Sequence, residues 1–421
     1  MHLRDFFRVG RLRQLSYAPL LAAAMTLMMV RLLLMARLLD VPEFGSFSGG
    51  MLVASSFCML GCLGLLGILQ REWPVDLLRG QERRGLVMSA QCMLVAFYCA
   101  LAGIVFAASG FSIAGIEPLV FAAGLVNGFA QQVFLIASVE SRSRGDSMRY
   151  ARENAARAVG SLLVAVGAAL WWRSAVAVLL IEGAVSLAMT WMMFRKSAGF
   201  AHHTPRYFFV LAARRLGKVN WATALTLMAA ATVAFLSGNV DRWMASDRLD
   251  SHGFAAYSFA WIAILIAQGM QAVFNASLYP SLARNCAAHG RNYAFRIAAV
   301  SSLALLLLGL LCVVPIDLAL DRGIRRWFPV YAPALELVPI FLAVAVLRVS
   351  EFWSSYLLIV GSEKSLLYLN VTMTLSCVAV WIVFVQPMAR VLQPRDVALL
   401  AILLAAVGYL SSGVMAWVKR K

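Results

Sequence analysis

Arg31 lies in the stretch TLMMVRLLLMARLLD, residues 26 to 40, an apolar run long enough to cross a membrane. An arginine at mid-span costs about 2.5–3.5 kcal/mol on insertion scales, and such residues usually face a bundle interior or a water-filled cavity. Arg31 is therefore a candidate lining residue. It lies roughly 9 Å of helix rise from the outer end of its run, so snorkelling to the headgroups is the other reading. Arg348, Glu351 and Ser355 are spaced i, i+3, i+7 and would share one face of a continuous helix. Such a charged pair either meets water or a polar partner, or neutralises itself. Polar residues recur at helical spacing elsewhere: Gln268, Gln271 and Asn275; Asn127 and Gln131; Glu182, Ser186 and Thr190; Asn370 and Thr374. They can join helices by hydrogen bonds, or together line a wet cleft. Glu182 has no cation near it in sequence, so it must be protonated, paired across helices or bound to a cation.

The elements that carry these residues are membrane helices. The chain has 421 residues, 62% of them hydrophobic and 14% charged, with a mean hydropathy of +0.79; soluble domains carry about 25% charged residues. Twelve apolar runs of spanning length occur, at about 15–37, 46–69, 86–108, 116–139, 156–172, 174–194, 219–240, 254–283, 294–316, 334–360, 365–386 and 397–418. The fold class is all-α and integral to the membrane. The first run leads straight into a second, so a cleaved signal peptide is not expected. Taking the N-terminus as cytoplasmic puts 26 of the 37 basic residues in inside segments and 9 outside, with Arg31 and Arg348 within spans. Both termini are then cytoplasmic. The net charge of +17 is spread over short loops, which fits topology and anionic headgroups rather than nucleic acid. The cysteines lie almost wholly in apolar runs and suit small buried hydrophobes. Pro19, Pro280, Pro315 and Pro339 fall in or near spans, where proline can bend a helix. No GxxxxGK[ST], HExxH or GxSxG motif occurs, and the five histidines lie outside the spans. No cofactor, metal or enzymatic activity is expected.

The two halves repeat at an offset of 210 residues. Leu39, Asp40, Phe44, Phe47 and Ser48 fall on Leu249, Asp250, Phe254, Tyr257 and Ser258. Each half also opens on a basic aromatic segment, RDFFRVGRLR at 4–13 and RYFFVLAARR at 206–215. Six spans per half give parallel repeats related by a pseudo-twofold along the membrane normal. The expected plan is a six-helix lobe over 1–194 with a basic amphipathic N-terminus, a cytoplasmic linker over 195–218, and a second six-helix lobe with a short basic tail over 219–421. The RYFF stretch is expected to lie as an amphipathic helix on the cytoplasmic surface.

The string ARLLDVPEFGSFSGGMLVASSFCMLGCLGLLGILQRE, at 36–72, resembles the opening of the Wzx-type polysaccharide and O-antigen flippases. GNVDRWMASDRLDSHGFAAYSFAWIAILIAQGMQAVFNASLYPSLAR, at 238–284, resembles their second lobe. The blocks are shared across the multidrug, oligosaccharidyl-lipid and polysaccharide exporter (MOP) superfamily. Ala255 stands opposite Gly45, a departure that bears on the local turn. The resemblance implies a V-shaped pair of lobes in a bacterial inner membrane that carry a polyprenyl-pyrophosphate-linked oligosaccharide from the inner to the outer leaflet. It implies that Arg31 and Arg348 receive the pyrophosphate, and that Gln268, Gln271, Asn275, Asn127 and Gln131 bond sugar hydroxyls. Glu182, Asp241 or Glu351 would bind a coupling H+ or Na+. Membrane lipids, a glycan polymerase and chain-length proteins are the partners such a role implies.

Three rivals stay open: a drug or metabolite antiporter of the same superfamily, a multi-span glycan polymerase or ligase, and a structural scaffold for glycan assembly. A large outer loop would favour the polymerase. The outer loops here are short.

Overall fold

The computed structural model describes residues 17–110, 112–196, 205–380 and 393–420. Most side chains between 272 and 287 also lie outside the description. The expected amphipathic segment at 4–13 falls outside it too. The described residues are almost wholly helical. In chain order the helices are α1 (Ala18–Leu38), α2 (Val41–Leu60), α3 (Leu65–Leu78), α4 (Glu82–Ala108), α5 (Pro118–Ser143), α6 (Ser147–Trp172), α7 (Ala175–Lys196) and α8 (Pro205–Arg215), followed by α9 (Trp221–Arg248), α10 (Ser251–His289), α11 (Arg291–Trp327), α12 (Val338–Ser350), α13 (Trp353–Ile359), α14 (Glu363–Val380) and α15 (Pro394–Val418).

Ten of the described helices are long and apolar enough to span, and the bent pair α2–α3 makes up to eleven. The helix α14, which starts at Glu363, covers most of the eleventh run, at 365–386, whose last residues lie outside the description. Where hydropathy shows one run, the backbone shows two breaks. The run at 46–69 bends by 53° across residues 61–64, and the run at 334–360 opens at Glu351 and Phe352.

The chain divides into two compact units, residues 1–232 and 233–421. In the first, α5 is the central helix and packs against α2, α4 and α7, while α1 packs against α6. Small residues permit the close α2–α5 approach: a Cβ on Gly124 would stand 2.6 Å from the Gly50 carbonyl oxygen, and one on Gly128 2.9 Å from Ala54. In the second unit α12 packs against α10, α11 and α15.

The repeat at offset 210 has a structural counterpart. Helices start at Val41 and Ser251, each preceded by an extended aspartate, Asp40 and Asp250. In both, the N–H of the helix's fourth residue, Phe44 or Phe254, donates to that aspartate's carbonyl at 2.8 Å. The aromatic positions Phe44 and Phe47, Phe254 and Tyr257, are all buried. Gly45 and Ala255 both lie inside a helix rather than in a turn, so alanine is accommodated there.

Two proline expectations are corrected. Pro19 and Pro339 occupy the first turn of α1 and α12, where no intrahelical N–H is lost and no carbonyl is freed. Pro315 does sit inside α11, and Pro74 inside α3. The expected helix at 206–215 is present as α8. It buries Phe208 and Ala212, packs on α4 and leaves its arginines exposed.

Candidate functional site

In the first unit, Arg31 and Glu182 meet across helices. Arg31 lies seven residues from the end of α1 and Glu182 seven from the start of α7, roughly 10 Å of rise in each case. Arg31 Nη1 ion-pairs with Glu182 Oε2, and the two residues are 2% and 1% exposed. Snorkelling is thereby excluded for Arg31, and of the three states open to Glu182 the structure shows pairing across helices.

Asn127, fully buried on α5, adjoins this pair. Its backbone abuts Gly183, the neighbour of Glu182, and its Oδ1 accepts from Gln131 Nε2 at 3.2 Å. Arg157, on α6, lies within electrostatic reach of both Arg31 and Glu182, with its guanidinium 4.7 Å from the Phe134 ring centroid. The cluster holds two cations and one anion in a low-dielectric setting, an excess of one positive charge.

In the second unit the break after α12 organises the site. Glu351 is extended, with φ −77° and ψ 94°, so the continuous helix that would set Arg348, Glu351 and Ser355 on one face does not exist. No Arg348–Glu351 ion pair forms among the described residues. Arg348 Nη2 instead donates to the Gly238 carbonyl at 2.9 Å. Glu351 Oε1 accepts from Ser354 N at 2.9 Å and Ser354 Oγ at 2.7 Å. The carbonyls freed at the break are covered: Gln271 Nε2 donates to Glu351 O at 3.2 Å, and Ser302 Oγ to Ser350 O at 2.6 Å. Backbone broken at membrane depth is tolerated where its polar groups are satisfied in this way or line a cavity.

Here there is such a cavity, of about 260 Å³, and Arg348, Glu351, Gln268, Gln271 and Asn370 line it. Asn275 falls among the residues whose side chains are not described. The walls offer one guanidinium, one carboxylate and several amides, enough to hold a polar or charged group.

Asp241, 2% exposed, is held differently. Its Oδ2 accepts from Tyr257 Oη at 2.7 Å and from Trp261 Nε1 at 3.0 Å. The Arg242 and Arg348 guanidiniums lie 4.4 Å and 6.0 Å from the Trp261 ring centroid. Asp241→Ala would orphan both aromatic donors, at roughly 1–3 kcal/mol each. Asp241→Asn keeps an acceptor, so its thermal midpoint in detergent should stay much closer to wild type; equal midpoints for the two variants would contradict this role.

Arg157, at the edge of the apolar run at 156–172, and Arg242, two residues past the run at 219–240, both sit within helices. A signal for Arg157 existed in Asp146, which caps α6 by accepting from Arg149 N at 2.9 Å and so starts that helix nine residues before the apolar run. Tyr257 and Trp261 carry no such signal, because buried aromatics are common in any span.

No family model matches the chain, and no curated protein matches it in sequence. Among solved structures it is similar to the eukaryotic MATE transporter AtDTX14, with a TM-score of 0.63, 10% identity and 98% of each chain covered. It is similar to the lipid II flippase MurJ in an inward closed conformation, with a TM-score of 0.67 and 12% identity over 94% of this chain and 86% of the other. An outward-facing multidrug resistance MATE family transporter of the MOP superfamily matches at 0.56, with 14% identity over 96% and 95%. These neighbours are transporters and a flippase rather than enzymes, and the chain has their multi-span helical fold.

Proposed function

We propose that this chain is a flippase that moves a polyprenyl-pyrophosphate-linked oligosaccharide from the inner to the outer leaflet of a bacterial inner membrane, for assembly of a cell-surface polysaccharide of the O-antigen kind. The observation that carries the reading is arginine charge held inside both units, Arg31 with Arg157 in one and Arg348 on a cavity wall in the other. Guanidinium suits pyrophosphate through its planar set of donors. The amides around Arg348, from Gln268, Gln271 and Asn370, suit sugar hydroxyls.

Alternating access would be driven by an H+ or Na+ gradient, with Glu182, Asp241 and Glu351 as candidate carriers; of these Glu351 lines a cavity. Both termini would be cytoplasmic, and a glycan polymerase and chain-length proteins would be partners. The lipid-linked cargo in the printed description of MurJ supports the reading. The multidrug description of a MATE neighbour supports a second one, a cation-coupled drug antiporter. The excess of cation beside Glu182 weighs against organic cations as cargo.

The test is to deplete the protein in its host and measure which leaflet holds the lipid-linked glycan. Wild type should relieve accumulation in the inner leaflet, and Arg348→Gln should slow that relief by about tenfold or more, the loss expected for a charge-assisted hydrogen bond. An unchanged leaflet distribution on depletion would reject flipping, and efflux of cationic dyes would then test the antiporter.

A further inference from the structure

A second cavity, of about 450 Å³, lies in the first unit where α3, α4 and the segment after α8 meet. Leu65 and Ile68 on α3 and Val87 and Met88 on α4 form its apolar wall. Two of its charged residues, Glu72 and Arg84, sit together: Glu72 lies four residues beyond Ile68, and Arg84 three before Val87. Arg84 and Gln91 share one face of α4 and are seven residues apart, so the lined length is roughly 10 Å. The cavity therefore pairs an apolar wall with charged lining residues.

Arg84 is already engaged, 3.0 Å from Glu72 and 3.6 Å from Asp76. Arg215 and Lys218 are not. Both line the cavity, and neither side chain forms an ion pair or hydrogen bond among the described residues. Of the four charged lining groups, Glu72 and Arg84 offset each other, which leaves an excess of two positive charges.

Helix α8, which ends at Arg215 and leads into Lys218, has the character of a surface helix. Phe208 and Ala212 of α8 are buried, while Phe209 and Val210 are 38% and 46% exposed. Arg214 and Arg215 close its last turn. An exposed apolar flank beside basic residues places such a helix at headgroup level.

We infer that this cavity is a binding site for an anionic glycerophospholipid of the surrounding leaflet, its phosphate held by Arg215 and Lys218 and the start of one acyl chain laid along Leu65, Ile68, Val87 and Met88. A free phosphate would make no use of the apolar wall. A zwitterionic headgroup would bring its own cation against Arg215 and Lys218. Basic pockets between membrane helices bind anionic phospholipid headgroups. The site is independent of the flippase reading, since it shares no residue with the Arg31 or Arg348 clusters.

The experiment is native mass spectrometry of the full-length protein in detergent, titrated with phosphatidylglycerol, phosphatidylethanolamine, inorganic phosphate or a polyprenyl phosphate. Wild type should retain phosphatidylglycerol well above phosphatidylethanolamine. Arg215→Gln with Lys218→Gln should weaken that retention by roughly 30-fold, and Met88→Trp, which fills the cavity, should reduce it as well. The two glutamine substitutions fall on exposed side chains, so the thermal midpoint in lipid-free detergent should not move. Equal retention of the two lipids by wild type would overturn the site whatever the variants do. Displacement of phosphatidylglycerol by inorganic phosphate at equal concentration, or preference for the polyprenyl phosphate, would overturn the assignment to a bilayer phospholipid.

Discussion

Arg31→Ala is expected to destabilise the protein by about 3–5 kcal/mol, because it strips a buried carboxylate of the cation in contact with it. Glu182 is 1% exposed, so water cannot take over. Arg157 lies within electrostatic reach but is stacked on Phe134 from another helix. Replacing both members, Arg31→Gln with Glu182→Gln, removes the charges together and should recover most of the loss, since neutral isosteres of a buried pair are often tolerated. Thermal unfolding of the two single variants and the double variant in detergent closes the cycle. A single variant as stable as wild type would show that the pair contributes nothing to the fold. The same double variant separates folding from transport: if it is stable yet fails to restore the outer-leaflet glycan, the charge itself is required and not merely the packing around it.

The Arg31–Glu182 pair also marks the limit of what the sequence conveys. Spacing rules relate residues on one helix, so they could rank Arg31 and Glu182 as buried charges but could not join α1 to α7. The repeated corner was legible because an extended Asp before each of the helices that start at Val41 and Ser251, and buried aromatics after it, recur at the same offset. The breaks were not legible. Hydropathy over GCLG at 61–64 and SEF at 350–352 stays within an apolar run, and averaging over a span hides a change in backbone direction. The Arg348–Glu351 face was lost for that reason. Both residues nonetheless line one cavity, because the break turns Glu351 out of the helix and Gln271 secures its carbonyl. Arg157 shows the opposite case, in which a helix extends beyond its apolar stretch and carries a charged residue at the edge of that stretch into a half-buried position.

Gly64→Ala should produce the other large effect, and it reports on the elbow between α2 and α3. Gly64 has φ +82°, a left-handed conformation that costs a residue with a side chain roughly 1–3 kcal/mol. Space is the stronger constraint. A Cβ there would stand 1.9 Å from the Ala224 carbonyl oxygen and 2.9 Å from the Met228 nitrogen, both backbone atoms of α9. No rotamer relieves a clash with backbone, so either α9 shifts or the 53° bend opens. Gly80 supplies the control: its φ is +68° and a Cβ there would meet nothing within 4 Å, so Gly80→Ala carries the conformational cost without the collision. The midpoint for Gly64→Ala should therefore fall well below that for Gly80→Ala, by the share of the loss that belongs to the contact with α9. Equal midpoints would mean that α9 yields freely at Ala224, and that glycine is required at the elbow for its backbone alone.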